Sequence, residues 1–154
     1  MIGKTFSYHV TVRERYLDSF GHMNHAIYLQ LFEEARWEWA TFNGYGLDKM
    51  IRLEQGPVVL DVHIRYKKEV RLREHLRIDS VCESFRKRLA VVKHSMINEQ
   101  GEVCCVAKVT LALFDKKSRA LISPTPEFLC GIGLEDAVKS LDSGVEKIDS
   151  NITS

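Results

Sequence analysis

The stretch from His25 to Phe42 constrains this chain more than any other. It contains no Gly or Pro, and its apolar residues recur at helical spacing. Tyr28, Phe32, Ala35, Trp39 and Phe42 follow one another at intervals of four, three, four and three, which puts them on one helical face. Ile27 and Leu31 widen that face, while Glu33, Arg36 and Glu38 are assigned to the wetter side. So broad a stripe suits a helix wrapped by other elements rather than one lying on a surface. Asn24 is placed to cap its start, and Gly44 and Gly46 to stop it.

The remaining sequence supplies a sheet to do the wrapping. Phe6, Tyr8, Val10 and Val12 alternate with polar residues, as in a half-buried strand. After Gly56-Pro57, Leu60, Val62, Ile64 and Tyr66 are read as pointing one way and Asp61, His63, Arg65 and Lys67 the other. Further strands are expected at Leu76–Cys82, Leu89–Ile97 and Val103–Phe114, with Phe85–Arg88 and Asn98–Gly101 as turns. Leu121-Ile122 can add a short extension, and a short helix is expected around Glu127–Cys130. The fold class is α+β: an antiparallel sheet of about five strands around one long central helix. Residues 1–132 are read as one domain and 133–154 as a polar tail, helical or disordered.

Composition narrows the partners. The net charge is +1 with 28% charged residues, so no global basic field recruits nucleic acid. Residues 1–7 lack the apolar core of a secretion signal, and no apolar run approaches the ~18 residues of a membrane span. Cys82, Cys104, Cys105 and Cys130 show no zinc-ligand spacing and read as reduced cytoplasmic thiols. No metal is expected.

The chemistry-bearing residues cluster at Asp18–His25. A carboxylate lies seven residues ahead of the helix start. Free N–H groups of the first helical turn, at His25 and Ala26, carry partial positive charge and can polarise a carbonyl. A nearby carboxylate can attack that carbonyl or activate water. The plainer alternative is that Asp18 closes an Asx-turn and His22 serves the backbone. Arg86, Lys87 and Arg88 form a second candidate, either a solvated basic loop or a grip for phosphates.

The run Asp18-Ser19-Phe20-Gly21-His22-Met23-Asn24-His25, with Tyr28 and Glu33-Glu34-Ala35-Arg36, resembles the hot-dog fold acyl-CoA thioesterases of the 4-hydroxybenzoyl-CoA thioesterase type. The resemblance extends from Phe6 to about Cys130. It implies that Asp18 is the catalytic carboxylate and that the His25 backbone N–H polarises the thioester carbonyl. It implies that His22 and Asn24 shape the substrate-binding turn. Arg86, Lys87 and Arg88 would contact the nucleotide phosphates of CoA, with Lys67 and Lys68 as weaker contributors. Glu33 and Glu34 stand where another branch of the fold carries its catalytic Glu. Two subunits would pair side by side, as a homodimer or a dimer-based tetramer.

The expected activity is hydrolysis of an acyl-CoA thioester to free acid and CoA, with no cofactor beyond the CoA of the substrate. The alternatives are a hot-dog hydratase or dehydratase using Asp18 with a His, and a non-enzymatic acyl-CoA-binding module. His63, His75 and His94 read as ordinary strand or loop residues, and Trp37 and Trp39 as core or interface rather than acyl-pocket lining.

Overall fold

The computed structural model describes residues 2–142. The polar end of the expected tail, from 143 onward, lies outside the described residues. The chain runs β1 (Phe6–Thr11), a short 3-10 turn (Glu14–Tyr16), α1 (His25–Phe42), α2 (Leu47–Leu53) and β2 (Gln55–Tyr66). It continues with β3 (His75–Arg86), β4 (Leu89–Ile97), β5 (Val103–Asp115), β6 (Ala120–Ile122), α3 (Pro126–Gly131) and α4 (Glu135–Asp142). The strands form one antiparallel sheet in the order β1-β3-β4-β5-β2, with the short β6 pairing with β5. The extension foreseen at Leu121-Ile122 is that sixth strand.

Helix α1 lies against one face of the sheet. Tyr28, Leu31, Phe32, Ala35 and Trp39 are its buried residues. Burying an apolar side chain of this size contributes roughly 1.5–3 kcal/mol, so this stripe anchors the fold. Phe42, expected on the same stripe, is exposed and instead tilts against Phe6 at 5.4 Å between ring centroids. The core divides along the helix axis. The first half of α1 packs on Leu76, Ile78, Met96, Cys105 and Ala107, and the second half on Val92, Val109, Leu111, Leu113 and Phe128. Cys82, Cys104, Cys105 and Cys130 are all free thiols, and burial pushes Cys82 and Cys105 up to about 12.

Strand β2 departs from the alternation read in the sequence. Val59 pairs with Leu111 and Asp61 with Thr110, so Leu60 is an extra residue and the phase slips there. Beyond the bulge, Val62, Ile64 and Tyr66 share the helix-facing side with Val109, Ala107 and Cys105. β2 is also an edge strand, which leaves Val59 50%, Leu60 49%, Val62 37% and Tyr66 48% exposed. The β3–β4 hairpin is tighter than expected, because Phe85 and Arg86 belong to β3 and only Lys87 and Arg88 form the turn. Lys87 takes the left-handed conformation there, with φ 53°.

At the C-terminal end, the Thr125 hydroxyl accepts from the Phe128 N–H at 3.3 Å and caps α3. Gly131 is required by contact, since a Cβ there would stand 2.8 Å from Tyr45 Cβ. Packing continues past residue 132: Leu134 is buried, Val138 rests on the core and Lys4 pairs with Glu135 at 3.0 Å. No described helix is long and apolar enough to cross a membrane.

Candidate active site

The loop from Leu17 to Met23 is a tight, internally bonded turn. Asp18 N–H donates to the His22 carbonyl at 2.8 Å, and Gly21 N–H to the Asp18 carbonyl at 3.1 Å. Gly21 makes this turn at φ 78°, a conformation that favours glycine. Asp18 Oδ1 accepts from the Phe20 N–H at 2.9 Å and the His22 N–H at 3.3 Å. The Asx-turn is therefore present, and both of its contacts fall on one carboxylate oxygen. Outside contacts hold the loop in place. Met23 N–H donates to the Val70 carbonyl at 2.8 Å, and His22 Nε2 stands 3.2 Å from Glu69.

Asn24 connects the loop to α1. Its N–H donates to the Tyr16 carbonyl at 2.8 Å, and its Oδ1 accepts from the Ala26 N–H at 2.9 Å. Ile27 N–H goes to the Asn24 carbonyl at 2.9 Å. Of the two first-turn amides singled out in the sequence, Ala26 is thus engaged by the cap and His25 is left as the uncapped donor. The His25 side chain is exposed.

Tyr66, absent from the sequence-based site, belongs to this region. Its hydroxyl donates to the His25 carbonyl at 2.9 Å, and its ring meets Tyr28 edge-on at 5.1 Å. The end of β2 therefore fixes the first residue of α1. The placement of Tyr66 on the helix-facing side of its strand was the available sequence signal; its partner 41 residues away was not.

Arg86, Lys87 and Arg88 are exposed at the β3–β4 hairpin. Arg88 Nη1 donates to the Leu121 carbonyl at 3.1 Å, so part of its role is to tie β6 to the hairpin. The register places this hairpin beside the second half of α1, next to Ala112 and the start of β2. Asp18 and His25 lie at the opposite end of the helix. Within one chain the structure does not bring the two candidate groups together. Other cations gather on the opposite face of the sheet. Lys93, Lys108 and His63 line up across β4, β5 and β2 on the sheet face away from the helix, with Arg65 and Lys67 alongside. Lys67 was the one member of this group noted from sequence for phosphate binding.

Glu34 accepts a hydrogen bond from the Tyr8 hydroxyl at 2.5 Å, which accounts for its position on the helix. Glu33 faces a cleft further along α1. Among the described residues no three His, Cys, Asp or Glu side chains converge to hold a metal ion.

Comparison with known proteins decides the family. The sequence profile of the Thioesterase-like superfamily matches residues 12–132. The chain belongs to that superfamily. It has the hot-dog fold of thioester hydrolases, of the branch that the Asp18–His25 motif resembles. The long-chain acyl-CoA thioesterase FadM of Escherichia coli (strain K12) is 27% identical over 115 residues, covering 74% of this chain and 86% of that enzyme. A Staphylococcus aureus protein solved in complex with CoA superimposes with a TM-score of 0.80 at 18% identity, over 88% of this chain and 87% of that one. The DHNA-CoA thioesterase of Staphylococcus aureus gives a TM-score of 0.76 at 20% identity, over 94% of this chain and 97% of that one. In this superfamily member the Asp18 loop, the α1 start and Tyr66 form one connected unit, built from two segments distant in sequence.

Proposed function

We propose that this protein hydrolyses acyl-CoA thioesters at the head of α1. The observation that carries this reading is the pairing of a loop carboxylate with an uncapped amide at one helix start. The His25 N–H donates to the thioester carbonyl oxygen and stabilises the charge that develops there, aided by the helix dipole. Asp18 either attacks the carbonyl carbon or takes a proton from the attacking water. In the first route an acyl–carboxylate anhydride forms, CoA thiolate leaves, and water then cleaves the anhydride. In the second, water adds directly and CoA leaves in the same sequence. Both end in free acid and CoA. Asn24 holds the amide in register by occupying its neighbour, and His22 keeps the loop against Glu69. The resemblance to FadM and to a fold-mate holding CoA supports the substrate class, and the cytoplasm is the compartment this reading implies.

The nucleotide half of CoA falls to Arg86, Lys87 and Arg88 of a second subunit in this reading. Antiparallel pairing of two β2 edges would bring the far end of one sheet beside the helix start of the other.

The test is release of free CoA from a panel of acyl-CoA esters, by the protein and by its Asp18→Asn variant. Hydrolysis by the former and its collapse in the latter are expected. Hydration of an enoyl ester without CoA release would favour the hydratase alternative, and tight binding without turnover a binding module.

A further inference from the structure

Past the catalytic end, the second half of α1 borders a cleft closed by α2, α3 and the start of β2. Its walls include Trp37, Tyr45, Met50, Val59, Leu111 and Phe128. Trp37 and Trp39, read from sequence as core or interface, both reach it. Polar groups interrupt this apolar lining. The first is Arg36, whose Nη1 lies 3.3 Å from His94 Nε2; His94 Nδ1 in turn lies 2.7 Å from Ser80 Oγ. Arginine only donates, so Nε2 accepts and the ring proton resides on Nδ1, where it is given to Ser80. Ser80 and His94 are fully buried, and the His94 ring stacks on Phe32 at 5.4 Å. This contact occupies one guanidinium N–H and locks the side chain in place. Among the described residues no carboxylate stands within ion-pair distance of Arg36, although the charge of Glu33 acts on it electrostatically. Glu33, one turn earlier, also faces the cleft. The second polar group is Tyr45, which is 2% exposed and whose hydroxyl has no hydrogen-bond partner. A desolvated donor left unpaired is unfavourable until an acceptor reaches it.

The cleft is also in line with the reaction centre. His25, Leu29, Glu33, Arg36 and Ala40 recur at helical spacing, so they share one face of α1. Arg36 lies eleven residues beyond His25, about 16 Å along the axis at the helical rise. A group in the cleft is therefore the far end of an acyl chain rather than its carbonyl.

We propose that this cleft receives the distal end of the acyl group, and that Arg36, with Tyr45, selects acyl groups carrying an oxygen acceptor there. This rests on the thioesterase reading above. A carboxylate and a hydroxyl share the required chemistry, since both accept from the guanidinium and the phenol.

The experiment measures kcat/KM for CoA esters of one chain length ending in carboxylate, hydroxyl or methyl. At least one oxygen-ended ester is expected to exceed the methyl-ended one by about tenfold or more, and the larger of the two identifies the acceptor. Arg36→Met should collapse that ratio, and Tyr45→Phe should reduce it without lowering Tm. A methyl-ended ester used equally well or better by the unaltered protein would overturn the proposal. So would a ratio unchanged in both variants. Absence of CoA release from every ester would instead overturn the hydrolase reading. Thermal shifts with the free oxygen-ended and plain acids then read the same selectivity, and equal shifts for both would sink the cleft assignment.

Discussion

Asp18 holds a loop, and the proposed mechanism gives the same side chain a part in the reaction. Both of its turn contacts are accepted by Oδ1. Asp18→Asn retains an amide oxygen for them, so the loop should survive while the negative charge is lost. The expected result is a kcat lowered by ~10²–10⁴-fold with a smaller change in KM, since the lost group acts mainly in the transition state. Asp18→Ala removes the acceptor as well. It should cost a further ~1–2 kcal/mol of stability through the freed Phe20 and His22 amides. Thermal melts beside steady-state kinetics separate the two roles, and a folded Asp18→Asn protein with unaltered kcat would reduce Asp18 to a turn residue. His94 makes the opposite kind of prediction. Burial, and then the adjacent Arg36 charge, hold it well below its ordinary value of 6.5. The folded chain keeps the ring neutral at a pH where the unfolded chain binds a proton. Stability is thus full above pH 6.5 and falls as pH drops below it, by up to about 1.4 kcal/mol per pH unit until the folded value is reached. Denaturant midpoints between pH 7 and about pH 5 should show this slope, and a folded His94→Gln variant should lose that contribution.

At the scale of elements, the helix start is held from outside the helix. Tyr66 on β2 donates to the His25 carbonyl, and Asn24 takes the Ala26 amide. Tyr66→Phe removes one hydrogen bond, worth about 0.5–1.5 kcal/mol, from the residue whose amide is assigned to the carbonyl. Its kcat should fall by about three- to tenfold with little loss of Tm, whereas an unchanged kcat would show that the cap alone fixes His25. The same elements show what sequence reveals. Helix α1, its Asn24 cap and the strands β3 to β5 were legible because helical spacing, strand alternation and cap chemistry are local. The slip at Leu60 was not, because a bulge is defined by the strand across from it. The Tyr66–His25 and Arg36–His94–Ser80 contacts join residues 41, 58 and 14 positions apart, and composition carries no trace of them. The Asp18–His25 loop was readable from its motif. The separation of the Arg86–Arg88 hairpin from that loop was not, because it depends on where the register places each end of the sheet.

For the whole molecule, assembly turns on how the β2 edge is covered. Its backbone groups face outward, and Val59, Leu60, Val62 and Tyr66 stand beside them. A second copy pairing antiparallel with this edge would satisfy those groups, bury those side chains and extend the sheet. Light scattering at micromolar concentration should report a dimer, and Leu60→Lys combined with Val62→Lys should shift it toward monomer. Charge then argues against going further through the outer sheet face. Arg65, Lys67, Lys93 and Lys108 share that face with Arg77 and His63, against the carboxylates Asp61, Asp79 and Glu83. Glu83 is held by Lys108 at 2.6 Å and Asp79 by Arg77 at 3.0 Å, so Arg65, Lys67 and Lys93 dominate what an approaching surface meets. Stacking two such faces about a two-fold axis sets cations against their own images. The repulsion is screened over about 8–10 Å at 0.1–0.15 M salt and shortens further as salt rises. Dimers should therefore persist unchanged from low to moderate ionic strength, with larger assemblies through this face favoured only at high salt. Sedimentation across a salt series checks this, and a tetramer stable at low salt through the outer face would show that the lysines there are paired across the interface.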